Sequence, residues 1–158
     1  MATVMKKVSV LLIFFLCALM ASAQSSQPYS QWYGINKSYD DHTPHSEVQV
    51  IAPSSSDVVV IVRYNNKDGK VAGHMYLAKG TSGTIQLSNG TYQVFFYYGT
   101  NWSPSLDMGN GFKGGFTKGV SYSKDNPERL YNGILTYELI LQRNGNFNTK
   151  PSNKNEVF

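Results

Sequence analysis

The chain has 158 residues, enough for one domain, with 41% apolar, 13% aromatic and only 15% charged residues. This composition excludes an intrinsically disordered chain, which would combine low hydrophobicity with high net charge. The formal charge is +4, and after residue 23 no cluster of Lys or Arg exceeds a pair, so nucleic acid is not an expected partner.

Residues 1–23 have the features of a secretory signal peptide. Lys6 and Lys7 precede an apolar run from Val8 to Met20, and Ala21-Ser22-Ala23 has the small-x-small form of a cleavage site. We expect cleavage before Gln24 and export to the periplasm or the extracellular space. A retained membrane anchor is the alternative, which the short apolar run disfavours. The chain would then touch a membrane only through this segment, before cleavage.

Cleavage changes the composition of the working protein. Removing 23 of the 158 residues leaves 135, and losing two of 14 basic residues leaves 12 against 10 acids, a formal charge of +2. A lipoprotein anchor at Cys17 is disfavoured because Leu16 before it is not small. Without Cys17 no cysteine remains, which excludes thiol catalysis and cysteine metal sites and leaves burial alone to stabilise the fold.

The first half of the mature chain predicts strands after a flexible start. Residues 24–45 are polar and aromatic without a sustained period, whereas Glu47 to Ala52 alternates as a half-buried strand does. Val58 to Val62 is apolar throughout, which predicts a strand buried on both faces. Asp68-Gly69 predicts the turn of a hairpin that returns over Val71 to Ala78.

The middle of the chain predicts a long aromatic strand and a cover for it. Asn89-Gly90 is typical of a two-residue type I′ turn, and Thr91 to Gly99 follows as a strand with aromatic residues on both faces. The second face needs a cover, for which Thr100 to Gly133 is the candidate. Within it we expect short strands near residues 112–117 and 120–123 and a helical turn over 125–130.

The carboxyl-terminal part predicts one more strand and a tail. Ile134 to Gln142 alternates, Asn144-Gly145 is a hairpin signal, and Phe147 to Phe158 is interpreted as a polar tail. Together these elements predict an all-β fold: an antiparallel β-sandwich (prealbumin/Ig-like) or an open barrel. The expected organisation is a flexible segment 24–45 followed by a single domain over 46–158.

Part of this pattern resembles a known group of proteins. The chain contains Tyr76-Leu77-Ala78-Lys79-Gly80, Gly90-Thr91-Tyr92 and Gly99-Thr100-Asn101-Trp102, and later Gly145-Asn146 and Glu156-Val157-Phe158. These segments resemble small secreted bacterial proteins with the pattern YIxxG…GxY…GxxW…GN…EF, many without an assigned function. The strand at Gly90-Thr91-Tyr92 is also weakly similar to extracellular prealbumin-like domains. The resemblance covers residues 58–158 and implies an exported β domain without implying an activity.

Catalytic and metal-binding signals are weak. Asp41-His42-Thr43-Pro44-His45 contains the one close histidine pair, but a third ligand is missing nearby. The acids Asp107, Asp125, Glu128 and Glu138 have no spacing typical of a glycosidase pair. A hydrolase site assembled from distant residues such as His42, His74 and Asp107 remains an alternative. We expect no cofactor and no metal.

Aromatic residues give the strongest candidate for a binding surface. We predict that a groove which stacks on sugar rings or holds an apolar ligand is lined by Tyr97, Tyr98, Asn101, Trp102 and Phe112. The alternative is that these rings only pack in the core.

The leading functional hypothesis is therefore an exported binding or interaction module without catalysis, whose ligand is a glycan or a protein. The two alternatives are a small secreted hydrolase and an envelope assembly protein that pairs by strand addition at a free sheet edge, which the last strand and the polar tail would expose or donate. The oligomeric state does not follow from the sequence.

Overall fold

The computed structural model describes residues 35–66, 68–140 and 149–158. The predicted signal peptide, residues 24–34 of the predicted segment 24–45 and the predicted turn at Asn144-Gly145 lie outside these ranges. The described residues form nine strands and one short helix: β1 (Ser46–Ile51), β2 (Asp57–Tyr64), β3 (Val71–Leu77), β4 (Ser82–Leu87), β5 (Gly90–Gly109), β6 (Phe112–Lys124), β7 (Glu128–Leu130), β8 (Ile134–Glu138), β9 (Lys150–Pro151) and α1 (Lys154–Val157).

The strands form two sheets, which confirms the all-β prediction. The small sheet has the order β4-β1-β8, and the large sheet has the order β3-β2-β5-β6-β9, with β7 paired to the start of β5. The strands do not form one sheet curled into an open barrel. One pair, β1 with β8, is parallel, so the prediction of a purely antiparallel arrangement was wrong. These two strands are far apart in sequence, and no tight turn forces them to be antiparallel.

The first core lies between the two sheets. Val48, Val50 and Ala52 of the small sheet face it, as their alternation predicts, and so do Val58, Val60 and Val62 of β2. Because side chains alternate along a strand, the remaining residues of β2 face the opposite side of the large sheet.

A second core covers that opposite side. Val59 and Ile61 of β2 belong to it together with Phe95 and Tyr97 of β5. The prediction that Val58 to Val62 is buried on both faces is confirmed.

Asn89-Gly90 does not form the predicted hairpin. Neither residue has a positive φ, and the strands on either side of it, β4 and β5, belong to different sheets. The Asn89 Oδ1 atom instead accepts hydrogen bonds from Ser46 Oγ at 2.9 Å and from Asn132 N at 2.8 Å. Asn89 thus joins the start of β1 to the turn before β8, contacts that sequence spacing does not reveal.

A tight turn with three consecutive positive φ angles lies between β5 and β6 instead. β5 and β6 are joined by Gly109-Asn110-Gly111, whose φ angles are 89°, 52° and 84°, a conformation that glycine and asparagine tolerate. In place of the predicted short strands, β5 continues to Gly109 and β6 runs without a break from Phe112.

Two further predictions were wrong near the carboxyl end. Residues 128–130 form β7 rather than a helical turn, because the edge of β5 at residues 90–92 lies beyond the end of β6 and finds its partner there. Residues 150–158 are not a polar tail. Asn153 caps α1 by accepting the N–H of Asn155 at 3.0 Å, and Val157 is completely buried in the second core.

Candidate functional site

The five residues predicted as a binding surface do not share one surface. Tyr97 is fully buried in the second core, whereas Tyr98, the next residue of β5, packs against the first core. Neighbouring residues of a strand point to opposite faces, so these two tyrosines cannot line one groove.

Asn101 explains why Trp102 lies with Tyr97 rather than with Tyr98. Strict alternation would place residues 98 and 102 on the same face. Asn101 has a φ of 55°, a left-handed conformation that interrupts the alternation, and Trp102 packs in the second core. The side chain of Asn101 itself is exposed.

Beyond Asn101 the chain folds back over the large sheet. In a straight strand, Tyr97 and Met108 would be about 37 Å apart, but Tyr97 Oη lies 3.9 Å from Met108 Sδ. Gly99 permits this course, because a Cβ there would lie 2.6 Å from Phe116 Cγ. We call residues 100–118 of β5 and β6 the arm. It covers the second face, as was predicted for the segment from Thr100.

Seven aromatic rings, three of them on the arm, are linked by ring contacts in the second core. Tyr97 is central, with its ring centroid 4.9 Å from those of Phe116 and Tyr122 and 5.4 Å from that of Phe158. The ring centroids of Phe112 and Phe158 lie 5.4 Å apart. The cluster is completed by two rings, Tyr76 and Trp102. Of the predicted residues, the structure therefore brings together Tyr97, Trp102 and Phe112, all as packed rings.

The hydroxyl of Tyr97 ties the arm to the sheet. It accepts a hydrogen bond from the Phe116 N–H at 2.7 Å. Burial is the main cause that raises the pKa of Tyr97 to about 12. The neutral hydroxyl is thus the form that the second core retains.

Trp102 has one unusual property. Its ring lies edge-on to Phe116 and Tyr76, at centroid distances of 5.1 and 6.1 Å. Its Nε1 atom is buried and has no hydrogen-bond partner among the described residues. Buried donors are nearly always paired, so this indole N–H is available to an acceptor that the described residues do not supply.

Of the predicted histidine pair, His45 contacts its own loop and β1 through its side chain, whereas His42 donates its backbone N–H to Asp40 Oδ1 at 3.0 Å. His45 Nδ1 lies 2.8 Å from the Thr43 carbonyl oxygen, and His45 Nε2 lies 3.4 Å from Glu47 Oε1. The contact with the Thr43 carbonyl is the main cause that raises the pKa of His45, and the contact with Glu47 raises it further. Among the described residues, no group of three His, Cys, Asp or Glu side chains is placed to hold a metal ion.

The residues of the hydrolase alternative lie on three separate elements. His42 is in the loop before β1, His74 is in β3 and Asp107 is in the arm. The Asp107 carboxylate accepts the N–H of Gly109 at 2.8 Å, and burial lowers the pKa of His74. Catalysis by these residues stays a prediction.

The acids proposed for glycoside hydrolysis are similarly dispersed. Asp125 accepts a hydrogen bond from Tyr137 Oη at 2.8 Å, and burial together with this bond raises the pKa of Tyr137. Asp107 lies in the arm, Glu128 in β7 and Glu138 in β8. Glu138 also lines a cleft of about 410 Å³ with Ile51, Pro53 and Ile140.

Apart from β8, the edges of the sheets are short or protected against further pairing. The outer strands β7 and β9 have only three and two residues, and β3, β4 and the part of β6 that β9 leaves uncovered are blocked in other ways. On β3, the Asn36 amide pairs with the backbone of His74, at 2.7 Å to its carbonyl oxygen and 2.9 Å to its N–H. β4 lies beside β3 of the other sheet. β6 carries Lys113 and Lys118, has an irregular register, and pairs with β9 at its end. Lysines, irregularities and covering segments are the usual means of blocking an edge.

The outer strand β8 has none of these protections among the described residues. It contains no Lys, Pro or Gly and pairs on one side only, with β1. Ile134 is 63% exposed, and the flanking Tyr131 and Ile140 are 72% and 53% exposed. We call Ile134–Glu138 with Tyr131 and Ile140 the β8 edge. The strand-addition alternative assigned a free edge to the last predicted strand and the tail, and β8 lies at the start of that strand. The absence of Lys, Pro and Gly between apolar flanks is a signal for such an edge.

Comparison with other proteins adds no assignment. No family model matches this chain, and no curated protein or solved structure matches it either. The resemblance to small exported β-domain proteins therefore stays a prediction. In the described part of the chain, no helix is long and apolar enough to cross a membrane.

Proposed function

We propose that the protein is an exported β-sandwich, prealbumin- or Ig-like in arrangement, that acts as an interaction module and binds a protein strand at the β8 edge. The observation that carries this proposal is the contrast between the β8 edge and the other sheet edges, which are short or protected. An unprotected edge with exposed apolar side chains is a template for an added strand. A shared core between the two sheets supports the sandwich.

Photo-crosslinking tests the interaction. A photoreactive phenylalanine analogue replaces Ile134 in the full chain, and the same analogue at Val120 is the control. Val120 is 43% exposed but belongs to β6, whose edge is protected. We expect a crosslinked adduct from position 134 at several times the yield from position 120. Equal yields, or none at 134, would contradict the proposal.

The export part has its own measurement. The purified protein from cells that express the full chain is expected to begin at Gln24, by amino-terminal sequencing or intact mass. A product that retains residues 1–23 in a membrane fraction would contradict export by a cleaved signal peptide.

A glycan ligand at Trp102 is the second candidate, favoured by the buried indole N–H that lacks a partner. Binding to an array of glycans and cell-wall fragments is measured for the wild type, Trp102→Phe and Trp102→Ala. Trp102→Phe retains an aromatic ring but removes the donor, so loss of binding in both variants supports the site. Binding retained in Trp102→Phe would exclude the indole N–H as a ligand contact.

A further inference from the structure

The backbone of β8 presents outward-facing groups in a regular order. Glu47 N donates to Gly133 O and Leu139 N donates to Ile51 O, both at the β1 side. Because backbone groups alternate sides along a strand, residues 135 and 137 also face β1. The N–H and C=O groups of Ile134, Thr136 and Glu138 therefore point away from β1, to the open side, where the Glu138 carbonyl already accepts the N–H of Ile140 at 3.0 Å.

We propose that the occupant of the β8 edge is β8 of a second copy of this chain, antiparallel and related by a two-fold axis at Thr136. This inference rests on the proposed function and names the partner. In that register Thr136 pairs with Thr136 of the second copy, and Ile134 pairs with Glu138. The outward groups of these residues then find partners in the second copy, because directly opposed residues exchange both hydrogen bonds. The Glu138 carbonyl, which already accepts the N–H of Ile140, takes part through its second lone pair.

The side chains also suit this register. On the outer face Thr136 meets its own copy, a favourable cross-strand pair, and Glu138 meets Ile134 instead of a second acid. Like charges are nowhere directly opposed within the paired residues. Just beyond them, Tyr131 of one copy and Ile140 of the other come to the same end of the strands, where both lose exposed apolar surface.

The symmetry fits what a closed dimer requires. A two-fold contact uses the same surface of both subunits, so it closes and does not grow into a fibre. The joined small sheets would have the order β4-β1-β8-β8-β1-β4. Five paired residues on each side make a small contact, which is typical of transient association.

Charge complementation at Thr136 tests the partner and the register together. The full chain is expressed, and the exported protein is studied by sedimentation equilibrium up to about 1 mM. We expect the wild type to dimerise reversibly. Thr136→Lys and Thr136→Glu each place like charges at the two-fold axis and are expected to weaken dimerisation at least about tenfold. An equal mixture of the two variants is expected to regain wild-type association.

Thr84→Lys is the matched control. Thr84 and Thr136 both pair with Gln49 in the small sheet, from opposite sides, and both are exposed. Thr84→Lys is expected to dimerise as the wild type does. Circular dichroism and thermal unfolding verify that every variant is folded.

A cysteine variant provides a second measurement. Opposed residues in such a pair have Cα atoms about 5.5 Å apart, within the range for a disulfide. Thr136→Cys is expected to form a covalent dimer on mild oxidation, and Thr84→Cys is not.

The outcomes separate the two proposals. A wild type that stays monomeric to about 1 mM, with no covalent dimer from Thr136→Cys, overturns the second copy as occupant. Crosslinks from position 134 to another protein would then still support the interaction module. If the wild type dimerises but an equal mixture of Thr136→Lys and Thr136→Glu does not, the register with Thr136 at the two-fold axis is overturned.

Discussion

Replacing Tyr97 by Phe removes one oxygen atom from the centre of the second core. The Phe116 N–H donates to that oxygen at 2.7 Å, and Tyr97 is completely buried. In Tyr97→Phe this donor is left without a partner, at a cost of about 1–3 kcal/mol. We expect the free energy of unfolding to fall by about 2 kcal/mol. For a domain of this size the midpoint of thermal unfolding should fall by roughly 6–10 °C.

Tyr98→Phe on the same strand is the control. Tyr98 Oη lies 3.3 Å from Ser123 Oγ, and Ser123 is half-buried, so water replaces the lost partner and the expected loss is below about 1 kcal/mol. Denaturant and thermal unfolding measure both variants. Equal losses in the two variants would refute the idea that Tyr97 holds the arm.

Alkaline pH gives an independent check on Tyr97. Its pKa is raised from 10.0 to about 12 in the folded protein. The neutral hydroxyl therefore contributes stability that is fully present below pH 10 and is lost as the pH rises from 10 to 12. The difference in stability between the wild type and Tyr97→Phe should narrow over this interval. If the difference in the free energy of unfolding between the two proteins grew over this interval, it would contradict the raised pKa of Tyr97.

Three further predictions concern other parts of the fold. Asn89→Gly should lower the free energy of unfolding by about 1–3 kcal/mol in denaturant, because it removes a partly buried hydrogen bond from Ser46 and two exposed bonds with Asn132; a type I′ turn would instead tolerate glycine, so an unchanged stability would favour the hairpin. In an NMR titration His45 should titrate at a higher pH than His74, since its pKa is raised and that of His74 is lowered; the reverse order would contradict both assignments. Deleting residues 157–158 should cost about 3 kcal/mol in the same denaturant assay, and a truncated chain as stable as the full one would show that α1 is not docked.

The parts of the fold that follow from local alternation were predictable. Val48, Val50 and Ala52 face the first core, and β2 is apolar on both faces, as their sequences indicate. Asn89-Gly90 has the strongest local turn signal, yet Asn89 bonds to Ser46 and Asn132. Partners more than forty residues away in sequence override the local preference.

The candidate site was harder to predict because it depends on what lies beside each strand. Strict alternation along β5 would place Tyr98 and Trp102 on the same face of the sheet. The left-handed conformation of Asn101 interrupts this alternation and places the two side chains on opposite faces. Ile134 resembles any strand residue in the sequence. Its exposure becomes informative once the Asn36 amide and the β6 lysines show how the other edges are blocked.

The docking of the carboxyl terminus affects the order in which the chain acquires its structure. Val157 and Phe158 close the aromatic cluster, and β1 finds β8 only across most of the sequence. Until residues 134–138 and 157–158 have been synthesised, β1 has no β8 to pair with and the aromatic cluster stays open, and such long-range pairing forms slowly. A chain cut before residue 157 leaves aromatic surface of the second core uncovered, and exposed apolar surface of this kind favours aggregation.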